Sequence, residues 1–262
     1  MSTTTPPLIR RLGLVVAGAA LAWHVDSAAA CQVESGPTRA ALIELYTSEG
    51  CSSCPPADQQ LSQLPRSLDA RADVVPLSLH VDYWDSIGWK DPFAQRRFND
   101  RQSLLVDLNH QRTVYTPQFF VGGRELRSWR GGLQESVRQV NGTPAAADIR
   151  IEARPTASGS LAVTASARSA AAPAALYVAL TENGLSSRVT RGENGGSTLA
   201  HDHVVRAFYG PIALTSGQVT FARDIPLPAD WNRQHLEVAT FVANDRTGEV
   251  LQALAARECA VR

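Results

Sequence analysis

The 262-residue chain predicts an α/β unit, a mixed sheet with flanking helices, followed by an all-β sandwich-like domain. Three features carry that expectation. Residues 40–82 read strand, helix, strand. Residues 143–147, TPAAA, read as a linker at which composition changes. Beyond them lie short alternating runs (DIRIEA, SLAVTASA, ALYVALTE, VVRAFYG, QVTFARDI, LEVATFVAN) separated by Gly, Pro and Ser clusters.

Ahead of these elements, Arg10 and Arg11 precede the apolar run Leu12–Trp23, which is too short to span a bilayer, and Ala28-Ala29-Ala30 supplies an A-x-A cleavage pattern. Residues 1–30 therefore read as a signal peptide, the mature protein as periplasmic or secreted, with no membrane span after cleavage. The first unit, 31–142, begins with AALIELYT (40–47), apolar enough for a buried strand. PADQQLSQL then places Ala57, Leu61 and Leu64 at helical spacing, with Pro55 and Pro56 where missing N–H groups do least harm. VVPLSLHVD (74–82) is the second strand, with Pro76 near its beginning. A right-handed crossover makes the two strands parallel and brings their carboxyl ends together. Residues 83–114 form an aromatic-rich insertion that is helical by pattern from about Phe93 to Asn109. Pro117–Val121 is a third strand, Gly122-Gly123 turns the chain into RELRSW (124–129), and Gly131–Val140 places Leu133, Val137 and Val140 on one helical face. The trailing unit is 148–262.

Charge narrows the partners. The 25 Lys and Arg balance 25 Asp and Glu, Lys90 is the single lysine, and the arginines are dispersed, so nucleic acid is not an expected partner. Four cysteines remain in the exported chain, Cys31, Cys51, Cys54 and Cys259, in a compartment where disulfides persist. Cys31 with Cys259 as a structural disulfide leaves Cys51 and Cys54 to each other. That is one of three connectivities, beside unpaired terminal thiols or an intermolecular bridge.

The stretch GCSSCPP holds the chemistry. A cysteine at the end of a strand and the start of a helix meets backbone N–H groups and the positive end of the helix dipole, which favour its thiolate. Cys54, one turn on, lies within reach of a mixed disulfide formed at Cys51. The pair can thus exchange disulfides in two steps, Cys51 as nucleophile and Cys54 as resolving thiol. Ser52 and Ser53 can add hydrogen bonds, and Glu49 opposes the thiolate. Pro117 opens a strand in a context that suits a cis bond to Thr116, freeing Thr116 backbone groups to pair with an extended substrate.

ELYTSEGCSSCPPAD, followed by VVPLSLHVDYWD and VYTPQFFVGGRE, resembles the thioredoxin superfamily. More narrowly, GWKDPFA (88–94), YTPQ (115–118) and an RGEN loop (191–194) resemble a secreted bacterial family of unknown function that carries a thioredoxin-like domain followed by a β domain. The resemblance implies a thioredoxin-like fold and a thiol–disulfide oxidoreductase with Cys51 as nucleophile, Cys54 as resolving cysteine and Pro117 as cis-proline. Its partners would be protein thiols or disulfides and a redox partner protein, and no cofactor is required. Gly50 stands where a tryptophan is common, and Pro55-Pro56 is unusual in the redox helix.

Two other functions are compatible with the residues. Cys51, Cys54 and His80 offer two thiolates and an imidazole, a set suited to copper or zinc in a metallochaperone, with His110 a weaker ligand. A binding module in which Cys51–Cys54 is a structural disulfide is the third reading. His201-Asp202-His203 places two imidazoles on one side of a strand, read as a solvated face, and RGENGG (191–196) reads as a turn. No G-x-S-x-G, P-loop or dinucleotide fingerprint occurs, so hydrolase and nucleotide-binding chemistry have no support.

Overall fold

The computed structural model describes residues 1–3, 31–69 and 72–257. Nearly all of the expected signal peptide, and Cys259, lie outside the described residues. In chain order the elements are β1 (Cys31–Glu34), β2 (Ala41–Thr47), α1 (Pro55–Ser62), α2 (Leu64–Ser67), β3 (Val74–His80), α3 (Arg96–Leu108), β4 (Gln118–Val121), β5 (Arg124–Glu125) and α4 (Trp129–Asn141). Strands follow: β6 (Asp148–Pro155), β7 (Leu161–Arg168), β8 (Ala174–Glu182), β9 (Leu185–Arg188), β10 (Thr198–His201), β11 (Val204–Ala213), β12 (Gln218–Ile225), β13 (Leu236–Asn244) and β14 (Val250–Ala255). The result is a sheet-rich mixed α/β fold.

β2 is buried at every residue because it lies inside an eight-stranded sheet ordered β14-β13-β8-β11-β3-β2-β4-β5. Parallel pairing to β3 sets Thr47 opposite His80, while β4 runs antiparallel on the other side. Ala41, Ile43 and Leu45 pack with Ala57, Leu61, Leu133 and Val137, so α1 and α4 cover that face. Leu42 and Tyr46 point the other way, into a core shared with Phe98 and Leu105 of α3 and with Tyr177, Phe208 and Phe241 of the trailing strands.

The prolines act locally. Pro55 and Pro56 occupy the first positions of α1, where no N–H is missed. A second proline-led start at Leu64 divides what the pattern read as one helix into α1 and α2. In β3, Pro76 pairs with Ile43 and precedes the register position Ser78, where β11 joins in parallel. Pro76 has no N–H to donate, and it lies before the single position at which β11 pairs with β3.

That junction revises the picture of a detached sandwich. Ser78 N donates to His203 O at 2.8 Å, so the sheet of the first half runs on into the second. A four-stranded sheet, β1-β6-β7-β12, packs over β8 and β13 through Ile149, Ile151, Val163, Leu176, Val178 and Val242. Residues 143–147 are tied down rather than free. Thr38 bridges Pro144, Ala145 N donates to Pro37 O at 2.9 Å, and Ala146 N donates to Leu251 O at 3.1 Å. RELRSW is a strand only at Arg124–Glu125, because α4 starts at Trp129, whose indole packs on Phe119 with centroids 5.4 Å apart. Residues 185–201 make an unanticipated ribbon, β9 pairing β10.

Candidate active site around the cysteine pair

The turn after β2 carries the two sulfurs. Cys51 and Cys54 form a disulfide with Cα atoms 5.5 Å apart, and Cys54 is the N-cap of α1. The Thr116–Pro117 peptide bond is cis, and Thr116 O lies 3.8 Å from Cys51 Sγ. The Ser53 hydroxyl completes the group, with its Oγ 3.3 Å from Cys51 Sγ and 3.5 Å from Thr116 O. Cys51, Cys54, Thr116 and Pro117, 65 positions apart at Cys51 and Thr116, are therefore brought together.

Gly50 sits where a side chain would be crowded. A Cβ there would stand 3.1 Å from Trp84 Cβ, and Trp84 Nε1 donates to Thr116 Oγ1 at 2.7 Å. An aromatic from the insertion thus braces the turn on one side.

On the other side sits the 191–196 loop. Glu193 Oε2 accepts from Ser52 N at 2.9 Å, and Asn194 Nδ2 donates to Glu49 O at 2.8 Å and to Cys51 O at 3.0 Å. Both cysteines are 0% exposed, although Ser52 and Ser53 between them face solvent. The sulfurs do not line an open groove.

Beneath the turn is a buried ionisable cluster drawn from both halves of the chain. Glu49 accepts from Trp89 Nε1 at 2.8 Å, and its Oε1 lies 3.1 Å from His201 Nε2. His80 Nδ1 meets Asp91 Oδ2 at 2.7 Å, and the same carboxylate oxygen accepts from Glu49 N at 2.9 Å. The two imidazole rings lie edge to face, 5.0 Å apart, with Phe93 against both. Asp58 of α1 stands 4.0 Å from His201 Nδ1. His80 Nε2, His201 Nδ1 and Asp58 Oδ1 have no hydrogen-bond partner.

Burial and neighbours set the charges here. Burial pushes the Asp58 carboxyl up to about 6, against the pull of His201 and His80. Burial opposes charge on His80, but Asp91 overrides it and holds the imidazole above its ordinary value. Asp91 is correspondingly lowered, because His80 and two backbone N–H donors outweigh its own desolvation. The cluster therefore sets a His80–Asp91 pair, in which each partner favours the other's charged form, beside an Asp58 carboxyl raised to about 6.

Cys51 and Cys54 are bonded to each other, and His80 turns its Nδ1 to Asp91 rather than offering it to the sulfurs. Among the described residues no group of three or more His, Cys, Asp or Glu is arranged to hold a metal ion. His110 is exposed at the end of α3. Cys31 is disulfide-bonded, while its expected partner Cys259 lies outside the described residues. Among the described residues no helix is long and apolar enough to cross a membrane.

His201-Asp202-His203 is not a solvated face. β10 ends at His201, His203 adopts φ 59°, and both imidazoles are buried, so the two rings do not share one side of a strand. His203 is held down to about 4, mainly by burial. RGENGG is a turn, but one docked on the cysteine motif. Asp58, Asp91, Glu193, Asn194 and His201 were not singled out from the sequence as site residues. All five lie inside stretches noted for other reasons: PADQQLSQL, GWKDPFA, RGEN and the His-x-His pair.

Residues 42–243 match the family described as "Protein of unknown function (DUF1223)". The chain belongs to this family. No curated protein matches it. Among solved structures, a crystal structure of a protein from Agrobacterium tumefaciens is similar at 22% identity and TM-score 0.61, covering 84% of this chain and 95% of that one. HBP35 of Porphyromonas gingivalis is similar at 16% identity and TM-score 0.63, covering 86% of this chain and 77% of that one. Both likenesses concern the fold.

Proposed function

We propose that this protein is an exported thiol–disulfide oxidoreductase with a thioredoxin-like site, acting in the periplasm or outside the cell. The observation that carries the reading is the position of Cys51 Sγ, bonded to Cys54 at a strand–helix junction and 3.8 Å from the carbonyl of Thr116. A main-chain carbonyl beside the attacking sulfur is where an extended peptide can be aligned.

In the reduced enzyme the Cys51 thiolate attacks a substrate disulfide. One substrate sulfur leaves as a thiolate and the other is joined to Cys51. The Cys54 thiolate then attacks Cys51 Sγ, breaking the mixed disulfide, releasing the second substrate thiolate and re-forming Cys51–Cys54. Two electrons pass from the pair to the substrate, and the same steps in reverse oxidise a substrate dithiol. Cys54→Ala should therefore accumulate disulfide adducts to Cys51, recoverable by non-reducing electrophoresis and mass spectrometry, and Cys51→Ala should yield none. Absence of adducts in both variants would remove the reading.

One observation favours a second reading. The sulfurs are 0% exposed, as in a disulfide that only holds a turn in a binding module. The readings part in native buffer, because a staple stays closed to dithiol reductants until the protein unfolds.

A further inference from the structure

The turn that carries the buried sulfurs is held from one side by a neighbouring loop. The 191–196 loop grips the turn on both sides of Cys51, through Glu193 on Ser52 N and Asn194 on the carbonyls of Glu49 and Cys51. Its own fold is self-contained. Gly195 N bonds Gly192 O, Ser197 N bonds Asn194 O, and Gly196 N returns to Val189 O. Gly192 adopts φ +75° and approaches so closely that a Cβ there would lie 3.3 Å from Trp89 Cβ. The loop is a compact tip on the β9–β10 ribbon, docked by polar contacts at an exposed edge.

Charge decides which redox state this contact suits. A disulfide is neutral, whereas a reduced Cys51 carries negative charge as its thiolate and needs N–H donors. Several donors of the turn are committed, Cys51 N to Ser48 O, Cys54 N to Cys51 O and Ala57 N to Cys54 O, while the Ser53 hydroxyl lies 3.3 Å from Cys51 Sγ. Pro55 and Pro56 have no N–H. Ser52 N is held by the Glu193 carboxylate, which places a negative charge on the residue that follows Cys51. Hydrogen bonding from Ser52 lowers the pKa of Glu193, so that charge persists in the closed state.

We propose that the 191–196 loop is a charge-sensitive latch, closed over the oxidised Cys51–Cys54 pair and released when Cys51 becomes a thiolate. The proposal rests on the redox reading above. Lifting the latch frees Ser52 N–H for the sulfur, removes a carboxylate from the residue that follows Cys51 and exposes the pair to a partner. By linkage, whatever factor the closed latch contributes in favour of disulfide over thiolate, the thiolate contributes against closure.

The test follows reduction by dithiothreitol in native buffer. One reagent thiolate attacks the protein disulfide and expels a protein thiolate. The second reagent thiolate then closes the reagent into a cyclic disulfide and expels the other, passing two electrons to the protein. Alkylation at timed intervals and mass spectrometry count opened pairs in wild type, Glu193→Gln, the double variant E193A/N194A, and Glu135→Gln on the remote surface of α4, with folding checked by circular dichroism. The double variant should open at least about tenfold faster than wild type. Glu193→Gln, which keeps an acceptor but loses the charge, should fall between them, and Glu135→Gln should match wild type. Equal rates in all four proteins would overturn the latch and leave the redox pair standing. A pair that opens in none of the folded proteins would overturn both.

Discussion

Two buried charged clusters flank β2, and they are built to opposite standards. Glu44 points from mid-strand toward α3 and receives both Arg101 Nε, at 2.5 Å, and a second guanidinium nitrogen, at 2.9 Å. Tyr46 Oη donates to the same carboxylate at 3.2 Å, and the guanidinium lies over the rings of Tyr177 and Phe241 at 4.6 and 4.8 Å. None of these side chains leaves a buried polar atom without a partner. A few residues along, the Glu49–His201 and His80–Asp91 pairs, with Asp58 beside them, leave three polar atoms unmatched. A satisfied buried network specifies packing. Unsatisfied buried polar atoms in a native fold call for another explanation, and here they sit beside a turn that carries a disulfide. The first cluster fastens α3 to the trailing strands. The second places titratable groups beneath the sulfurs.

The sharpest way to break the contrast is at its satisfied end. Arg101→Ala strands the Glu44 carboxylate in the core and should cost about 3–5 kcal/mol in urea unfolding. The fraction still folded should open its disulfide at the wild-type rate. A change in that rate would merge the two clusters into one functional unit.

Next in size is a pair of pH effects that oppose each other. The folded pKa of Asp58 is raised from 3.8 to about 6, so it contributes stability at low pH that is lost as pH rises through that window. The folded pKa of His203 is lowered from 6.5 to about 4, so its contribution is lost as pH falls through nearly the same window. Each shift corresponds to about 3 kcal/mol. Wild type should therefore show a shallow dependence between these limits. Asp58→Asn should expose the loss of stability on acidification, and His203→Asn, whose side chain tolerates the left-handed backbone, should expose the gain. Parallel wild-type and Asp58→Asn curves would remove Asp58 from the titrating cluster.

The latch variants sharpen the comparison at the smallest scale. The Glu193 contact is exposed, so Glu193→Gln should change the rate of disulfide opening with little effect on stability, and the double variant, which also removes the part-buried Asn194 contacts, should lose more.

How much of this could be read from the chain follows from contact range. AALIELYT and VVPLSLHVD were legible as strands because both faces are buried and apolar. Cys51, Cys54 and Thr116-Pro117 could be placed together because a short crossover and a neighbouring strand leave few arrangements. The helix at 96–108 was legible from its pattern. By contrast, β11 joins β3 through one register position, Val204 to Ser78, with no local signal for it. His201 reaches Glu49 across 152 positions, and Asn194 reaches Glu49 across 145. An Asp on the first turn of α1 looks like an ordinary helix-start acid until another segment buries it. RGEN reads as a turn because it is one, and nothing within four residues tells what a turn docks against.

The central claim is that Cys51 and Cys54 cycle between disulfide and dithiol in the folded protein. A redox titration of the mature protein in native buffer, read by thiol alkylation and peptide mass spectrometry, tests it directly. The account predicts a reversible two-electron transition in which Cys51 and Cys54 alone gain and lose the label. A pair that stays unlabelled at every potential until denaturant is added would contradict it.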